Sequence, residues 1–395
     1  MAVREQAGVQ DLACDKMKIS IVTPSFGRLD FLEETISSVI NQSGPFRLQY
    51  IVQDGGSGRE IIDVYERWSK RLKTGAQPVR CEGVEFSWHV ERDHGVYDAV
   101  SRGFARADGD VLAWLNTDDI YHHGALNTVA RAFAGFPDVD WLTGEQTLID
   151  ETGSVVTIST FPASYSRHFL QRGFYQSSNA ASGFPFVQQE STFWRSDLWR
   201  DSGGFPDTRA LASDYQLWRR FAERTDLVKI HTILGALRMH CGQLSGNAVA
   251  YAAGLADAEG EVKQAVGVIQ SIKRLIQEDS SKRFVVHEPG FHNPSTHACG
   301  MPVEWFSGRN IIWDGRSRSW KIARVPVVAA GFHSVREAVE ILNDTNPMLH
   351  LPKARSLAGH SLVARALHYY DLHLADYPED LDVVLEREAL FRTLQ

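Results

Sequence analysis

Residues 18–53 read KISIVTPSFGRLDFLEETISSVINQSGPFRLQYIVQ, two β-branched runs separated by a helical pattern. The run KISIVT, Lys18 to Thr23, predicts a buried parallel strand that stops at Pro24. Apolar residues then recur at helical spacing from Leu29 to Val39, with polar residues between them as a solvent face. LQYIVQ, Leu48 to Gln53, predicts the next strand. This segment therefore predicts a strand–helix–strand unit.

The same alternation continues along the chain. The sequence predicts a helix over residues 61–72, a strand at FSWHV, a helix from about Val96 to Ala107 and a strand at VLAWL. A parallel crossover needs a dozen or more residues and is normally helical. We therefore expect an α/β fold, a mostly parallel sheet flanked by helices, whose ligands bind at the carboxyl ends of the strands.

Acidic residues follow three of these strands. Asp54 comes after the second strand, Asp93 soon after the third, and Asn116-Thr117-Asp118-Asp119 after the fourth. They are expected to converge on one edge of the sheet. Two adjacent carboxylates can hold Mg²⁺ or Mn²⁺, but they also commonly open a turn or cap a helix, and both interpretations stay open here. The glycines after Asp54 match neither GxGxxG nor a phosphate-binding loop with its lysine.

Two later positions also suggest chemistry. Asp214, in LASDYQLWRRF, lies where a helix is predicted to start, so it is either favoured by the helix dipole or a general base. His240, in RMHCGQLS, is either a metal ligand or a structural histidine. Four aromatic residues in the flanking segments fit a saccharide-binding face or, as the default, core packing: Trp194, Trp199, Phe205 and Trp218.

Composition narrows the class of protein. The 395 residues weigh 44.2 kDa, enough for two to three domains of roughly 100–200 residues. The net charge of −8 argues against nonspecific nucleic-acid binding. Four scattered cysteines suggest no zinc site or disulfide framework and fit a reducing cytoplasm. No apolar stretch approaches the ~20 residues of a membrane span, while peripheral attachment at the inner face of a membrane stays open.

The sequence suggests three regions. Residues 1–16 are expected to form a flexible leader, residues 17–247 a catalytic domain, and residues 248–395 a mainly helical region of unknown role. In that last region we expect a hairpin around IIWDGRSRSWKIARV and helices over about 334–343, 360–374 and 381–394. These helices would pack on the preceding domain, mediate oligomerisation, or bring the protein to a membrane surface.

Six motifs, in order, resemble family 2 glycosyltransferases with the GT-A (Rossmann-like) fold. They begin with KISIVTPSFGRLDFLEETISSVINQ and YIVQDGGSG and continue with ERDHGVYDAVSRGFARADGDVLAWLNTDDIYHHGAL. QQESTFWRSDLWRDSGGF, ASDYQLW and RMHCGQLS complete the set, which spans about Lys18 to Asn247. Together these motifs are far more specific than any one of them.

The resemblance implies a role for each matching residue. Asp214 would be the catalytic base, while Asp119 and His240 would hold Mn²⁺ or Mg²⁺. Asp54 would hydrogen-bond the nucleobase, and Asp118 would touch the ribose or donor sugar. The implied nucleotide-binding set is Thr23, Pro24, Ser25, Asp54, Asp93, Arg102 and Asp118. This chain departs from the family at Asn116, where many members have a third carboxylate, and near Arg59, where a frequent acidic residue is missing.

The resemblance further implies a metal-dependent inverting hexosyltransferase. It would move a sugar from a nucleoside-diphosphate donor, UDP in the first instance, to a hydroxyl of a saccharide or lipid-linked saccharide in surface polysaccharide or glycoconjugate assembly. Two alternatives remain: a catalytically inactive sugar-nucleotide-binding scaffold, and a nucleotidyltransferase. The second would require a Gly-rich, Lys/Arg-bearing loop after the first strand, whereas TPSFGR is sparse in both.

Overall fold

The computed structural model describes residues 17–159, 164–171, 175, 186–209, 212–240, 307–314, 319–326, 354–355, 358, 363–376 and 381–392. The expected leader and the expected helix at 334–343 lie outside these residues. The sequence also predicts a Gly/Ser/Asn-rich loop at 177–183, an Ala-rich helix up to residue 277 and a Pro/His/Gly-rich loop at 287–302, and these lie outside them as well.

The first half of the chain alternates strands and helices as predicted. Its elements are β1 (Lys18–Ser25), α1 (Leu32–Ile40), β2 (Ser43–Asp54), α2 (Arg59–Lys73), β3 (Arg80–Val90), α3 (Val96–Phe104), β4 (Val111–Trp114), β5 (Ile120–Tyr121) and α4 (Ala125–Gly135).

The second half is more mixed. Its elements are β6 (Trp141–Ile149), β7 (Val155–Ser159), α5 (Arg167–Gln171), a 3₁₀ turn (Gln189–Ser191), β8 (Thr192–Arg195), α6 (Ser196–Ser202), α7 (Ser213–Ala222), β9 (Val228–Ile233), β10 (Gly235–Arg238), β11 (Ser307–Asp314), β12 (Ser319–Pro326), α8 (Val363–Asp376) and α9 (Leu381–Phe391).

One large sheet organises the fold, with the strand order β12-β11-β9-β6-β8-β4-β1-β2-β3. Strand β1 pairs in parallel with β2 and β4, β2 with β3, and β9 with β6 and β11. Strand β8 is antiparallel between β4 and β6, and β12 is antiparallel to β11. The expected α/β class with a mostly parallel sheet is confirmed.

Alternating side chains of the central strands build a core on each face of the sheet. Ile21 packs in a cluster with residues of α1, α2 and α4, whereas the next residue, Val22, packs in a second cluster with residues of α3, α6 and α7. This alternation is the period of two expected for a strand covered on both faces. Helices therefore cover both faces, which leaves the carboxyl-terminal edge of the strands for the site.

The aromatic residues that flank Asp214 belong to the core. Trp194 and Trp218 are fully buried and lie 5.7 Å apart, and Trp114 stacks on Trp218 at 5.8 Å between ring centroids. Phe205 is buried beside the partly buried Trp199, at 5.1 Å. Core packing, the default interpretation of these four residues, is confirmed.

The predicted end of β1 at Pro24 was wrong, because the strand continues to Ser25. Leu115 N donates to Val22 O at 2.9 Å on the β4 side, and Gly55 N donates to Ser25 O at 2.8 Å on the β2 side. By alternation Pro24 faces the β4 side, where pairing has already ended at Val22. The proline therefore costs the sheet no hydrogen bond.

The expected C-terminal hairpin is confirmed as β11 and β12. Strand β11 pairs in parallel with β9, so the hairpin extends the sheet built by the first 240 residues. Helices α8 and α9 correspond to two of the expected helices, and Arg355 holds Glu386 of α9 through two bonds of 2.9 and 2.7 Å. The division at residue 247 stays a prediction. Among the described helices, none has the length and apolar character needed to cross a membrane.

Candidate functional site

The loops after β1, β2 and β3 meet at Gly55. A Cβ atom at this position would lie 2.8 Å from Asp93 Oδ2 and 3.1 Å from the ring of Phe26, so a larger residue would displace these side chains. Gly27 N also donates to Ser57 Oγ at 2.9 Å. Phe26 remains 72% exposed although it is a large aromatic residue. An exposed ring and a carboxylate therefore lie side by side at this edge.

Asp54 is buried and organises the loop that follows it. Its Oδ1 accepts hydrogen bonds from Gly56 N at 2.9 Å and Ser57 N at 2.6 Å, and its Oδ2 lies 2.9 Å from the Tyr65 hydroxyl. Gly56 has a φ of 106°, which favours glycine. Asp54 therefore holds the turn after β2 in its observed conformation.

Thr23, Pro24 and Ser25 line the buried floor beneath these loops. Thr23 Oγ1 lies 3.0 Å from the Tyr50 hydroxyl, and Ser25 Oγ lies 2.7 Å from the Tyr65 hydroxyl. Burial raises the pKa of both tyrosines, so their hydroxyls stay protonated. The three residues support the site from below, and the chain becomes exposed only at Phe26.

Arg102 positions the segment that carries Asp93. Its guanidinium binds Asp98 at 2.9 and 3.3 Å and donates to Arg92 O at 2.9 Å. Burial alone would raise the pKa of Asp98, but hydrogen bonds from His94 and Arg102 lower it below its ordinary value. Asp93 Oδ1 accepts a hydrogen bond from Gly95 N at 3.0 Å. Arg102 of α3 therefore holds the loop that carries Asp93.

The neighbours Asp118 and Asp119 occupy different environments. Asp118 is partly exposed, and its Oδ2 lies 2.9 Å from His240 Nε2. Asp119 is buried, and its oxygens accept from Arg238 N at 2.9 Å and from Asn116 Nδ2 at 3.1 Å. An amide at Asn116 can donate this bond, which an ionised carboxylate could not. The acidic turn thus has one outward and one inward carboxylate.

Arg28, which the sequence did not single out, lies beside the outward-facing Asp118. Arg28 Nη1 lies 2.9 Å from His240 Nε2 and 3.5 Å from Asp118 Oδ2. These three side chains come from the loop after β1, the turn after β4 and the segment after β10. They bring the acidic turn to the same edge as the Asp93 loop, as predicted from the strand ends.

Glu190 is a second residue that sequence reasoning missed. Its side chain is buried against Asp119, and burial, reinforced by the charges of Asp118 and Asp214, raises its pKa to about 7. Burial, then the charges of Glu190 and Asp118, raises the pKa of Asp119 well above its usual range. The two inward carboxyls therefore hold a proton near neutral pH. The charges of Asp118 and Asp214 both contribute to the raised pKa of Glu190.

The outward pair fits a divalent cation. Asp118 Oδ2 and His240 Nε2 are 2.9 Å apart, close to the roughly 3 Å that separates adjacent ligands lying about 2.1 Å from an octahedral ion. The described residues contain no group of three or more acidic, histidine or cysteine side chains arranged as a metal site. Further ligands would come from a diphosphate and water, the usual pattern for Mg²⁺.

Open α/β sheets bind their ligands at the carboxyl ends of their strands, and in this protein that edge gathers carboxylates, a histidine and an arginine. Residues 20–185 match the sequence profile of glycosyl transferase family 2. The match covers less than half of the chain, and within it residues 20–185 are similar to glycosyl transferase family 2.

Three known proteins are similar to parts of this chain. An uncharacterised glycosyltransferase of Mycobacterium tuberculosis is 28% identical over 221 residues, which cover 55% of this chain and 73% of that protein. A PGL/p-HBAD biosynthesis glycosyltransferase of Mycobacterium bovis is 33% identical over 118 residues, covering 29% of this chain and 41% of that one. The structure of Staphylococcus aureus TarS with UDP-GlcNAc has a TM-score of 0.43 and 16% identity, over 58% of this chain and 61% of that chain.

Proposed function

We propose that this protein is a glycosyltransferase that moves a hexose-type sugar from a nucleoside-diphosphate donor, UDP in the first instance, to a saccharide hydroxyl with inversion. The observation that carries the proposal is the contact between Asp118 Oδ2 and His240 Nε2, 2.9 Å apart at the edge where the strands end. A carboxylate beside an imidazole at that edge suits a divalent cation and the diphosphate of a nucleotide-sugar donor.

The nucleoside would bind where the first three loops meet. Phe26 offers an exposed flat face, which suits stacking on a base. Asp93 lies beside it, and Asp54 and Arg102 hold the two loops in place. Thr23, Pro24 and Ser25 form the buried floor. The diphosphate would then extend towards Arg28, whose guanidinium faces the acidic turn.

We propose Asp118 and His240 as the protein ligands of Mn²⁺ or Mg²⁺, in place of the sequence-based pairing of Asp119 with His240. The support is that Asp118 contacts His240, whereas Asp119 is buried and held by Arg238 and Asn116. When bound, the cation would supply positive charge beside diphosphate oxygens that become more negative as the donor bond breaks. Asp119 then supports the turn from within.

Asp214 is the proposed general base. It would take the proton of the acceptor hydroxyl as that oxygen bonds to the anomeric carbon and the bond from that carbon to the diphosphate breaks. One base is enough, because the departing diphosphate needs no proton, whereas a glycosidase also needs an acid. Attack from the face opposite the leaving group inverts the configuration.

Substituting Asp214→Asn tests this assignment. We expect transfer of sugar from UDP-sugar to fall about 10²- to 10⁴-fold, with the donor Kd nearly unchanged because the substitution keeps the shape of the side chain. Asp197→Asn is the matched control, since Asp197 is an exposed carboxylate of α6 that pairs with Arg200 at 2.7 Å. Near-normal transfer by the Asp214 variant would remove it from the role. Donor binding without transfer in the unsubstituted protein would favour the scaffold alternative.

The similarity to family 2 glycosyltransferases and to individual relatives supports the proposed saccharide acceptor. The M. bovis relative is named for PGL/p-HBAD biosynthesis. We extend to this chain only the idea of a saccharide or lipid-linked saccharide acceptor, reached in the cytoplasm or at the inner face of a membrane. Assembly of surface polysaccharide or another glycoconjugate is the proposed context.

A further inference from the structure

Arg238 is a buried cation beneath the acidic turn. It ends β10, and its side chain is 0% exposed. Its Nε donates to Asp118 O at 2.7 Å, and Nη2 donates to Glu34 Oε2 at 2.6 Å. Nη1 donates to the carbonyls of Asp150 and Glu151 at 3.1 and 3.3 Å. The guanidinium therefore ties the turn to α1 and to the loop between β6 and β7.

The backbone of Arg238 binds the turn a second time. Its N–H donates to Asp119 Oδ1 at 2.9 Å, so side chain and main chain hold neighbouring residues of the turn. The guanidinium carbon also lies 4.5 Å from the ring centroid of Phe31, which in turn lies 5.2 Å from the His240 ring. His240 follows Arg238 by two residues. Arg238 thus contacts Asp118 directly and approaches His240 through the ring of Phe31.

Burying a guanidinium is costly unless its donors are satisfied, and apolar residues often stabilise a fold as well or better. What a buried arginine provides is geometry, because its planar fork fixes several acceptors at once and lysine cannot reproduce that pattern. Here those acceptors include the main chain of Asp118, which lies 122 positions from His240 in sequence. The hydrogen bonds of Arg238 can therefore fix the distance between Asp118, in the turn after β4, and His240, in the segment after β10.

We propose that Arg238 is a positioning residue that sets the spacing of Asp118 and His240 for a divalent cation and its diphosphate. This inference rests on the proposed function. Partners that orient metal ligands typically contribute 10- to 100-fold to metal affinity. Arg238 would act through the turn and β10 without touching the cation.

The test is Mn²⁺ binding in the presence of UDP, measured from free Mn²⁺ by electron paramagnetic resonance, for the full chain and its variants. For Arg238→Met we expect the Mn²⁺ Kd to rise about 10- to 100-fold. Arg238→Lys keeps the charge but loses the fork, so its Kd should rise by at least about fivefold. Arg238→Lys also provides a folded variant if the methionine variant does not fold.

Arg195 is a matched control. It also donates to two carbonyls, Val139 O and Phe133 O, both at 2.9 Å, and its guanidinium carbon lies 5.1 Å from the Phe133 ring. Arg195→Met should lower the melting temperature but leave the Mn²⁺ Kd unchanged. Wild-type Mn²⁺ affinity in folded Arg238→Lys, or equal losses in the Arg195 and Arg238 variants, would overturn the inference alone. Failure of the unsubstituted protein to bind Mn²⁺ with UDP would overturn the proposed function as well.

Discussion

At the residue scale, adjacent side chains of the acidic turn face different surroundings. Asp118 reaches His240 and Arg28, whereas Asp119 turns into the protein and shares its surroundings with Glu190. The difference follows from hydrogen bonding, since a backbone N–H and the Asn116 amide hold Asp119 in place. The outward carboxylate can meet a ligand, and the inward one shapes the turn.

Phe26 provides a residue-scale prediction about the nucleoside. Phe26→Ala removes an exposed ring beside Asp93. Since stacking of a base on an aromatic ring contributes about 1–3 kcal/mol, we expect the UDP Kd, measured by calorimetry with Mn²⁺, to rise about tenfold or more. Phe391→Ala is the control, because Phe391 is an exposed aromatic residue of α9. An unchanged Kd for Phe26→Ala would place the base elsewhere.

The sequence predicted the acidic residues at the strand ends but not their neighbours. Asp54, Asp93 and Asp118 stand out because each follows a predicted strand. Arg28 and Glu190 have no comparable pattern, since their roles depend on contacts between distant segments; Arg28 meets a histidine 212 positions away. Glu190 lies within a quoted family motif, QQESTFW, and burial beside another carboxyl is visible only in the fold.

At the element scale, a buried network joins β6, β9 and β11. Glu145 binds Lys229 Nζ and His231 Nδ1, each at 2.8 Å, and Asn310 Nδ2 lies 2.7 Å from His231 Nε2. The hairpin itself was predictable from its local pattern. Its addition to the sheet beside β9 was not, because parallel pairing between residues about 80 positions apart leaves no short-range periodicity.

This network makes stability depend on pH. Burial alone would raise the pKa of Glu145, but Lys229 and His231 lower it below its ordinary value of 4.5. The ionised carboxylate therefore stabilises the fold above that value, and the contribution disappears as pH falls through the lowered pKa. Glu145→Gln should lower the free energy of unfolding by about 3–5 kcal/mol at pH 7 because it leaves a buried lysine without its carboxylate.

Urea unfolding between pH 7 and pH 3 measures the effect. The difference between wild type and Glu145→Gln should shrink below about pH 4.5, because wild type loses its ion pairs there. Glu85→Gln is the control, since Glu85 pairs with Lys18 at 2.8 Å at the surface, where such pairs contribute about 0–1 kcal/mol. A difference that stays constant across the acid range would show that Glu145 is not the group responsible.

At the scale of the whole molecule, one edge of one sheet collects the proposed site. The loops after β1, β2, β3 and β4 come from its parallel part, and Glu190, Asp214 and His240 are added by segments that follow. The alternation of strands and helices predicted this edge, because parallel strands all end there. The positions of the later strands in the sheet could not be predicted in the same way, because β8 lies antiparallel between β4 and β6 and breaks the parallel alternation.

The most direct test of the central claim is a thermal-shift panel of UDP, GDP, dTDP and CMP, each with and without Mn²⁺. A ligand at 100 times its Kd adds about 2.7 kcal/mol, or about 5–10 °C in melting temperature for a domain of this size. We expect that shift with UDP and Mn²⁺ together, and its loss in Asp118→Asn. No shift with any nucleotide, or an equal shift without Mn²⁺ and in the variant, would contradict a nucleotide-sugar site built on the acidic turn.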